Sequence, residues 1–199
     1  MRVKIGDKKI FSNSIKMLFN IDIDIEKLNA ITFDSRNLKK GDVFVALSGK
    51  NSDGHNYIQK CVDKGASLII NERIKSNKIL EVKSSKETLG ELANIYRSQM
   101  NCKVIGITGS NGKTTTKELL AHILNSNYKT SYTKENYNST IGMPMSLFAI
   151  KQTDDIFIAE IGTNKKGEIK YLSKIAKPDM ALITNISESH LSNLIDLNG

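Results

Sequence analysis

The run Val104-Ile105-Gly106-Ile107-Thr108-Gly109-Ser110-Asn111-Gly112-Lys113-Thr114-Thr115 joins a β-branched stretch to a glycine-rich turn, and the turn to a helical pattern. Such a junction gathers backbone N–H groups and the positive end of a helix at one point, where an anion is stabilised. Gly109 and Gly112 allow the backbone close to a phosphate, Lys113 reaches the outer phosphates, and the Thr114 hydroxyl is placed to ligate Mg²⁺. Thr108 through Thr115 are therefore the expected nucleotide contacts. The spacing departs from the general phosphate loop: the glycine expected five residues before Gly112 is Ile107, which leaves a shortened G-x-x-G-K-T.

Four further places carry candidate chemistry. Glu160 closes the apolar run Ile156-Phe157-Ile158-Ala159, and strand ends beside such a loop are where ligands gather, so it is expected to hold a metal. His190 follows another strand end; as a lone loop histidine it fits exposure or structure as well as a metal or catalytic role. Asn136 and Asn138 precede a helix and fit either capping or substrate contact. Asp34-Ser35-Arg36 follows a strand in the first third of the chain, where Arg can pair with a phosphate and the other two can bond a sugar or base; alone it is an ordinary polar turn.

The elements that must position these residues are legible as pattern. Strands are expected at Ala30–Phe33, Asp42–Leu47 and Ser67–Ile70, with a helix over Tyr57–Lys64 ended by Gly65. The segment 77–86 is polar, and Ser84 or Ser85 is the expected N-cap of a helix carrying Leu89, Leu92, Ala93 and Tyr96. A domain boundary is placed near residue 83. Beyond it the rhythm is strand, loop, helix: strands Lys103–Ile107, Lys129–Thr133, Ile156–Glu160 and Met180–Asn185 alternate with helices over Lys113–Leu124, Ile141–Ile150 and Gly167–Ala176. Leu119, Leu120, Ile123 and Leu124 are expected on one face of the first of these helices, and Pro144 is admissible only in the first turn of the second. Alternation of this kind implies a parallel sheet with crossovers.

The 199 residues allow two small cores, and 39% hydrophobic with 25% charged residues is ordinary for a folded chain. The formal charge of +8 favours anionic partners, but the lysines are scattered and not interleaved with aromatics, so nucleotide is favoured and nucleic acid is not. Cys61 and Cys102 lack metal or redox spacing. No run approaches the ~20 apolar residues of a membrane span, and residues 1–25 carry charges throughout, unlike a signal peptide. A cytoplasmic, non-membrane protein is expected.

With these residues in view, the chain resembles the Mur ligases over nearly its whole length. Thr108-Gly-Ser-Asn-Gly-Lys-Thr-Thr-Thr-Lys-Glu118 is similar to their phosphate loop, shortened spacing included. Asn136 to Pro144 resembles their Asn-rich segment, Glu160 to Ile169 a metal-binding strand end, and Thr184-Asn185-Ile186 with His190-Leu191 a second metal site. Phe33 to Arg36, Gly41 to Leu47 and Asp53-Gly54-His55 resemble their UDP-substrate domain; Asn138-Ser139 stands where the family usually has an asparagine pair.

The resemblance implies an α/β architecture: a small N-terminal mixed α/β substrate domain (1–82), then a mostly parallel, P-loop NTPase-like sheet domain (83–199). It implies ATP and Mg²⁺, Lys113, Glu160 and His190 in catalysis, and Thr114, Glu160 and His190 as metal ligands. It implies substrates UDP-N-acetylmuramoyl-tripeptide and D-alanyl-D-alanine, joined through an acyl phosphate by a monomeric enzyme of peptidoglycan precursor synthesis. Family members continue past the position of Gly199 through a carbamylated lysine and a C-terminal domain, so these residues alone are expected to bind nucleotide weakly and not to ligate. Rival readings are another ligase of the superfamily (the tripeptide-forming or folate polyglutamylation step), a P-loop switch or kinase-like module, and a non-catalytic nucleotide-binding fragment.

Overall fold

The computed structural model describes residues 1–49 and 52–187. Two sheets are built in succession. The first contains β1 (Arg2–Lys4), β2 (Ala30–Thr32), β3 (Val43–Val45), β4 (Leu68–Asn71) and β5 (Ile79–Glu81), in spatial order β1-β2-β3-β4-β5. Only β1 runs antiparallel to its neighbour. The second contains β6 (Lys103–Thr108), β7 (Thr130–Tyr132), β8 (Ile156–Glu160) and β9 (Met180–Ile183), all parallel, in the order β7-β8-β6-β9. The expected α/β class with a mixed first sheet and a parallel second sheet is borne out.

Six α-helices cross between strands among the described residues: α1 (Lys8–Phe19), α2 (Ile58–Asp63), α3 (Ser85–Ser98), α4 (Lys113–Leu124), α5 (Gly142–Leu147) and α6 (Glu168–Ala176). Local signals set their ends. Asp7 caps α1 by accepting from Ile10 N, and Asn20 stops it in the left-handed conformation. Ser84, the first of the two candidate caps, accepts from Glu87 N to start α3. Pro144 is the third residue of α5, inside the first turn, where its missing N–H leaves no bond unmade.

Three elements went unread in the sequence. α1 alternates its apolar residues with lysines and asparagines in a segment weighed only as a leader; β1 and β5 are three residues each, too short for a period of two to register. One face was misassigned. Leu120 and Leu124 pack against Ile107 and Ile158, but Leu119 (60% exposed) and Ile123 (64%) face outward. Lys117 and Ala121 take the buried positions of α4 instead, one turn apart.

A continuous core passes between the sheets, and α3 carries it by packing on α1, α5 and α6. At its centre Phe11 of α1, Tyr96 of α3 and Phe148 just after α5 meet edge to face, with centroids 5.2–6.2 Å apart. The Tyr96 hydroxyl accepts from Asp7 N at 2.9 Å and donates to Ile150 O at 2.7 Å, so one phenol ties the start of α1 to the end of the α5 segment. Tyr96→Phe leaves both backbone groups unpaired in an apolar setting. It should cost about 1–3 kcal/mol of unfolding free energy in urea denaturation with an unchanged fold by circular dichroism; a neutral substitution would show that the two bonds hold nothing.

Candidate functional site

β6 lies at the centre of the second sheet, and its register determines what meets the loop behind it. Ile107 is opposite Glu160 of β8, and Thr108 is opposite Ile183 of β9, so both neighbouring strands end beside residues 109–112. Gly109 has φ +139°, and a Cβ there would stand 2.2 Å from the Thr184 hydroxyl; Gly112 has φ +78° and caps α4. Both glycines are thus required by conformation, and the first also by space. The loop is braced from the β9 side. Ser110 N donates to Asn185 O (3.1 Å), Asn111 N to Asn185 Oδ1 (2.9 Å), and the Thr184 hydroxyl to Asn111 O (2.6 Å).

The anion-facing groups are consequently fewer than the sequence suggested. Ser110 and Asn111 spend their N–H groups on Asn185, and the first intrahelical bond runs from Thr116 N to Gly112 O. The N–H groups of Gly112, Lys113, Thr114 and Thr115 open α4 with no protein acceptor among the described residues. They form the concave, positive end of a 12-residue helix. Lys113 Nζ folds back over this mouth, donating to Gly109 O and to Ser110 O (3.0 Å).

Glu160 is 2% exposed and held on three sides. The Thr114 hydroxyl lies 3.2 and 3.1 Å from its two oxygens, Asn138 Nδ2 donates to Oε1 at 2.8 Å, and Lys117 Nζ lies 3.4 Å from Oε2. Its own N–H donates to the Thr133 hydroxyl. Glu160 is thus a buried acid at the mouth of the loop and not a surface-exposed strand-end carboxylate. Thr114 and Glu160 make a hard, all-oxygen pair, the protein share that suits Mg²⁺, an ion that takes one or two protein ligands and fills its shell with water and phosphate oxygen. The residues present therefore fit that ion.

The asparagines separate. Asn138 points at Glu160, whereas Asn136 is exposed. Neither caps α5; Ser139 Oγ accepts from Gly142 N instead. His190 lies outside the described residues. Lys117 and Thr133 were missed as parts of this cluster, while Thr184 and Asn185, expected at a second metal site, are bonded to the loop. A lysine at the inward position four residues after Lys113 was the available signal for Lys117; Thr133 depends on strand order.

Asp34, Ser35 and Arg36 form a closed turn after β2. The Asp34 carboxylate accepts from Arg36 N, Nε and Nη2 and from Asn37 Nδ2, and Lys64 Nζ donates to Ser35 O. Between the facing edges β1 and β7 runs a cleft of about 910 Å³ with Arg2 (paired with Asp42), Lys4, Lys8, Lys134 and Lys151 on its walls against Glu135 and Asp154, a net basic lining that favours an anion.

Residues 27–97 match the Mur ligase family, catalytic domain, and residues 107–198 match the Mur ligase middle domain. The chain belongs to the Mur ligase family. A relative from Rickettsia prowazekii (strain Madrid E), UDP-N-acetylmuramoyl-tripeptide--D-alanyl-D-alanine ligase, is 39% identical over 185 residues, covering 90% of this chain and 41% of its own length. A crystal structure of MurF from Acinetobacter baumannii superposes with TM-score 0.84 at 33% identity, covering 98% of this chain and 44% of that one. That of the Thermotoga maritima MurF ligase in complex with ADP gives TM-score 0.77 at 38% identity, covering 81% and 38%. This Mur ligase chain spans about two fifths of the length of the curated relatives it matches.

In this member of the family the Asp34 carboxyl is drawn down to about 2, chiefly by its bond from Arg36 and against a smaller opposing effect of burial. Because the folded acid titrates below its ordinary value, its pairing is complete above the usual carboxylate range and is lost as pH falls through about 2. Carbon-13 NMR of the Asp34 carboxyl should show that low midpoint, and Arg36→Ala should move it back up toward about 3.9; a midpoint that stays put in the variant would remove Arg36 as the cause.

Proposed function

We propose that this chain is the UDP-substrate-binding and ATP-binding part of a ligase that joins D-alanyl-D-alanine to UDP-N-acetylmuramoyl-tripeptide in peptidoglycan precursor synthesis. The observation that carries the reading is the buried Glu160 carboxylate held against Thr114 and Asn138 at the mouth of a shortened phosphate loop. Support comes from relatives bearing that ligase name and from the similar MurF structure with ADP. On this reading residues 1–82 take the UDP-linked substrate and residues 83–199 the nucleotide.

The chain's own residues account for the first half of such a reaction. The N–H groups of Gly112–Thr115 bind the ATP phosphates along the helix axis, and Lys113 leaves the carbonyls of Gly109 and Ser110 to meet the outer phosphate oxygens. Mg²⁺, held by Thr114 and Glu160, supplies charge neutralisation at the phosphates. A tripeptide carboxylate oxygen, brought in beside Asn138, attacks the γ-phosphorus; ADP leaves and an acyl phosphate forms. The amine of D-alanyl-D-alanine then attacks its carbonyl carbon, inorganic phosphate departs, and an amide remains. Asp34, Ser35 and Arg36, with the basic cleft along β1, are the side chains suited to the UDP moiety. Asn136, exposed ahead of Asn138, sits on the approach to it. His190 is retained as the candidate for a second metal.

A cytoplasmic monomer accords with this substrate pair, and no described helix is long and apolar enough to cross a membrane. A P-loop switch or kinase-like module is the rival, and the asparagine-bound Glu160 favours the ligase.

Two binding measurements on this chain test the assignment. Fluorescent ATP with Mg²⁺ should bind wild type and bind Lys113→Ala roughly 10- to 100-fold more weakly. UDP-N-acetylmuramoyl-tripeptide should bind more tightly than the corresponding dipeptide. Equal nucleotide affinity in the variant removes the phosphate role, and preference for the dipeptide shifts the assignment to the tripeptide-forming step.

A further inference from the structure

Lys117 is buried completely in α4, yet it carries a charge that no described role of the loop requires. Its ammonium donates to Thr133 O at 2.8 Å and forms ion pairs with Glu118 Oε1 at 3.1 Å and Glu160 Oε2 at 3.4 Å. The Tyr132 ring lies 5.5 Å away on the cation–π side. Burial and these three contacts hold the ammonium in place, whereas part-buried Lys113 rests on two carbonyls of its own loop. Lys117 and Lys113 are four residues apart on one helix, but only Lys117 sits beneath Glu160.

We propose that Lys117 is a positioning residue that makes divalent-cation binding at Glu160 depend on nucleotide. This rests on the reading of Thr114 and Glu160 as the metal ligands of a nucleotide site. A nearly buried carboxylate is costly unless its charge is answered. Lys117 answers it, and with Asn138 it holds the Glu160 carboxylate aimed at Thr114 before any cation arrives. The same ammonium is a like charge beside an incoming Mg²⁺, in a setting where solvent screens it poorly. With Lys117 beside it, Glu160 offers the cation much less attraction than an unpaired buried carboxylate would, and the half-exposed Glu118 on the same ammonium is screened by solvent. Only when phosphates bring further negative charge to the mouth of α4 does the balance favour the cation. The metal then enters with the triphosphate, and a bare cation does not occupy the site.

The measurement is titration with Mn²⁺, followed by electron paramagnetic resonance, on the 199-residue chain with and without ADP. Wild type should bind Mn²⁺ weakly alone and markedly more tightly with ADP. Lys117→Met should bind Mn²⁺ without nucleotide about tenfold more tightly or better, and the gain from adding ADP should shrink correspondingly. Lys117→Gln keeps a donor for the Thr133 carbonyl and should behave alike, which preserves the test if Met at this site does not fold. Lys117→Arg keeps the charge and should retain the wild-type dependence. Nucleotide-free Mn²⁺ affinity that is unchanged or weaker in a folded neutral variant would overturn the proposal, because a merely structural lysine predicts that result. Absence of Mn²⁺ binding from every protein, ADP present or not, would overturn the metal reading itself and this inference with it.

Discussion

A carboxylate almost out of contact with water, at the end of a central-sheet strand, is the constraint around which the second half of this molecule is arranged. Glu160 needs charge and hydrogen-bond partners from several elements at once, and each arrives from a different part of the chain: Thr114 and Lys117 from α4, Asn138 from the segment after β7, Thr133 from the end of β7. Because a buried acid left short of partners is strongly unfavourable, the cluster ties the register of β7 on β8 to the pitch of α4. A shift of one residue in β8 would turn Glu160 to the other face of the sheet, away from Lys117.

The phosphate loop is supported from the opposite side. The β9 continuation presses Thr184 against Gly109 so closely that no side chain fits, and Asn185 takes the two N–H groups at the loop's start. The loop is therefore clamped between strand ends, with β8 contributing the acid and β9 the brace. This division leaves only the four N–H groups at the α4 end to meet an anion. A shortened loop with fewer free donors places more of the burden of phosphate binding on the helix terminus and on Lys113, whose resting partners are carbonyls of its own loop.

Much of this was legible from residue order because its causes are local. A glycine with positive φ, a serine capping a helix or a proline in a first turn is decided by neighbours within a few positions, and Gly65, the Ser84-Ser85 pair and Pro144 were read accordingly. The parallel sheet was legible for a related reason, since strand-length apolar runs separated by helices have few other solutions. What could not be read depends on which strands become neighbours. β7 and β8 are adjacent although β6 precedes both, and only that order brings Thr133 and Asn138 to Glu160. The error on α4 has the same origin. Leucines at 119 and 123 look like core by composition, yet the inward positions are occupied by Lys117 and Ala121, because the helix must deliver an ammonium to the acid below it.

The two sheets are not independent in this arrangement. Tyr96, donated by the helix that links them, bonds to backbone on both sides while its ring packs against Phe11 and Phe148. One wall of the basic cleft is β1, whose strand leads into α1, and the other is β7, whose strand leads into Asn138. The aromatic trio packs α1 against α3 and the segment after α5, and so ties together elements that lie behind the two walls. Edge-to-face packing of this kind tolerates little change in ring position without losing contact, so the same three rings that fill the core also hold the helix linking the two sheets against its neighbours.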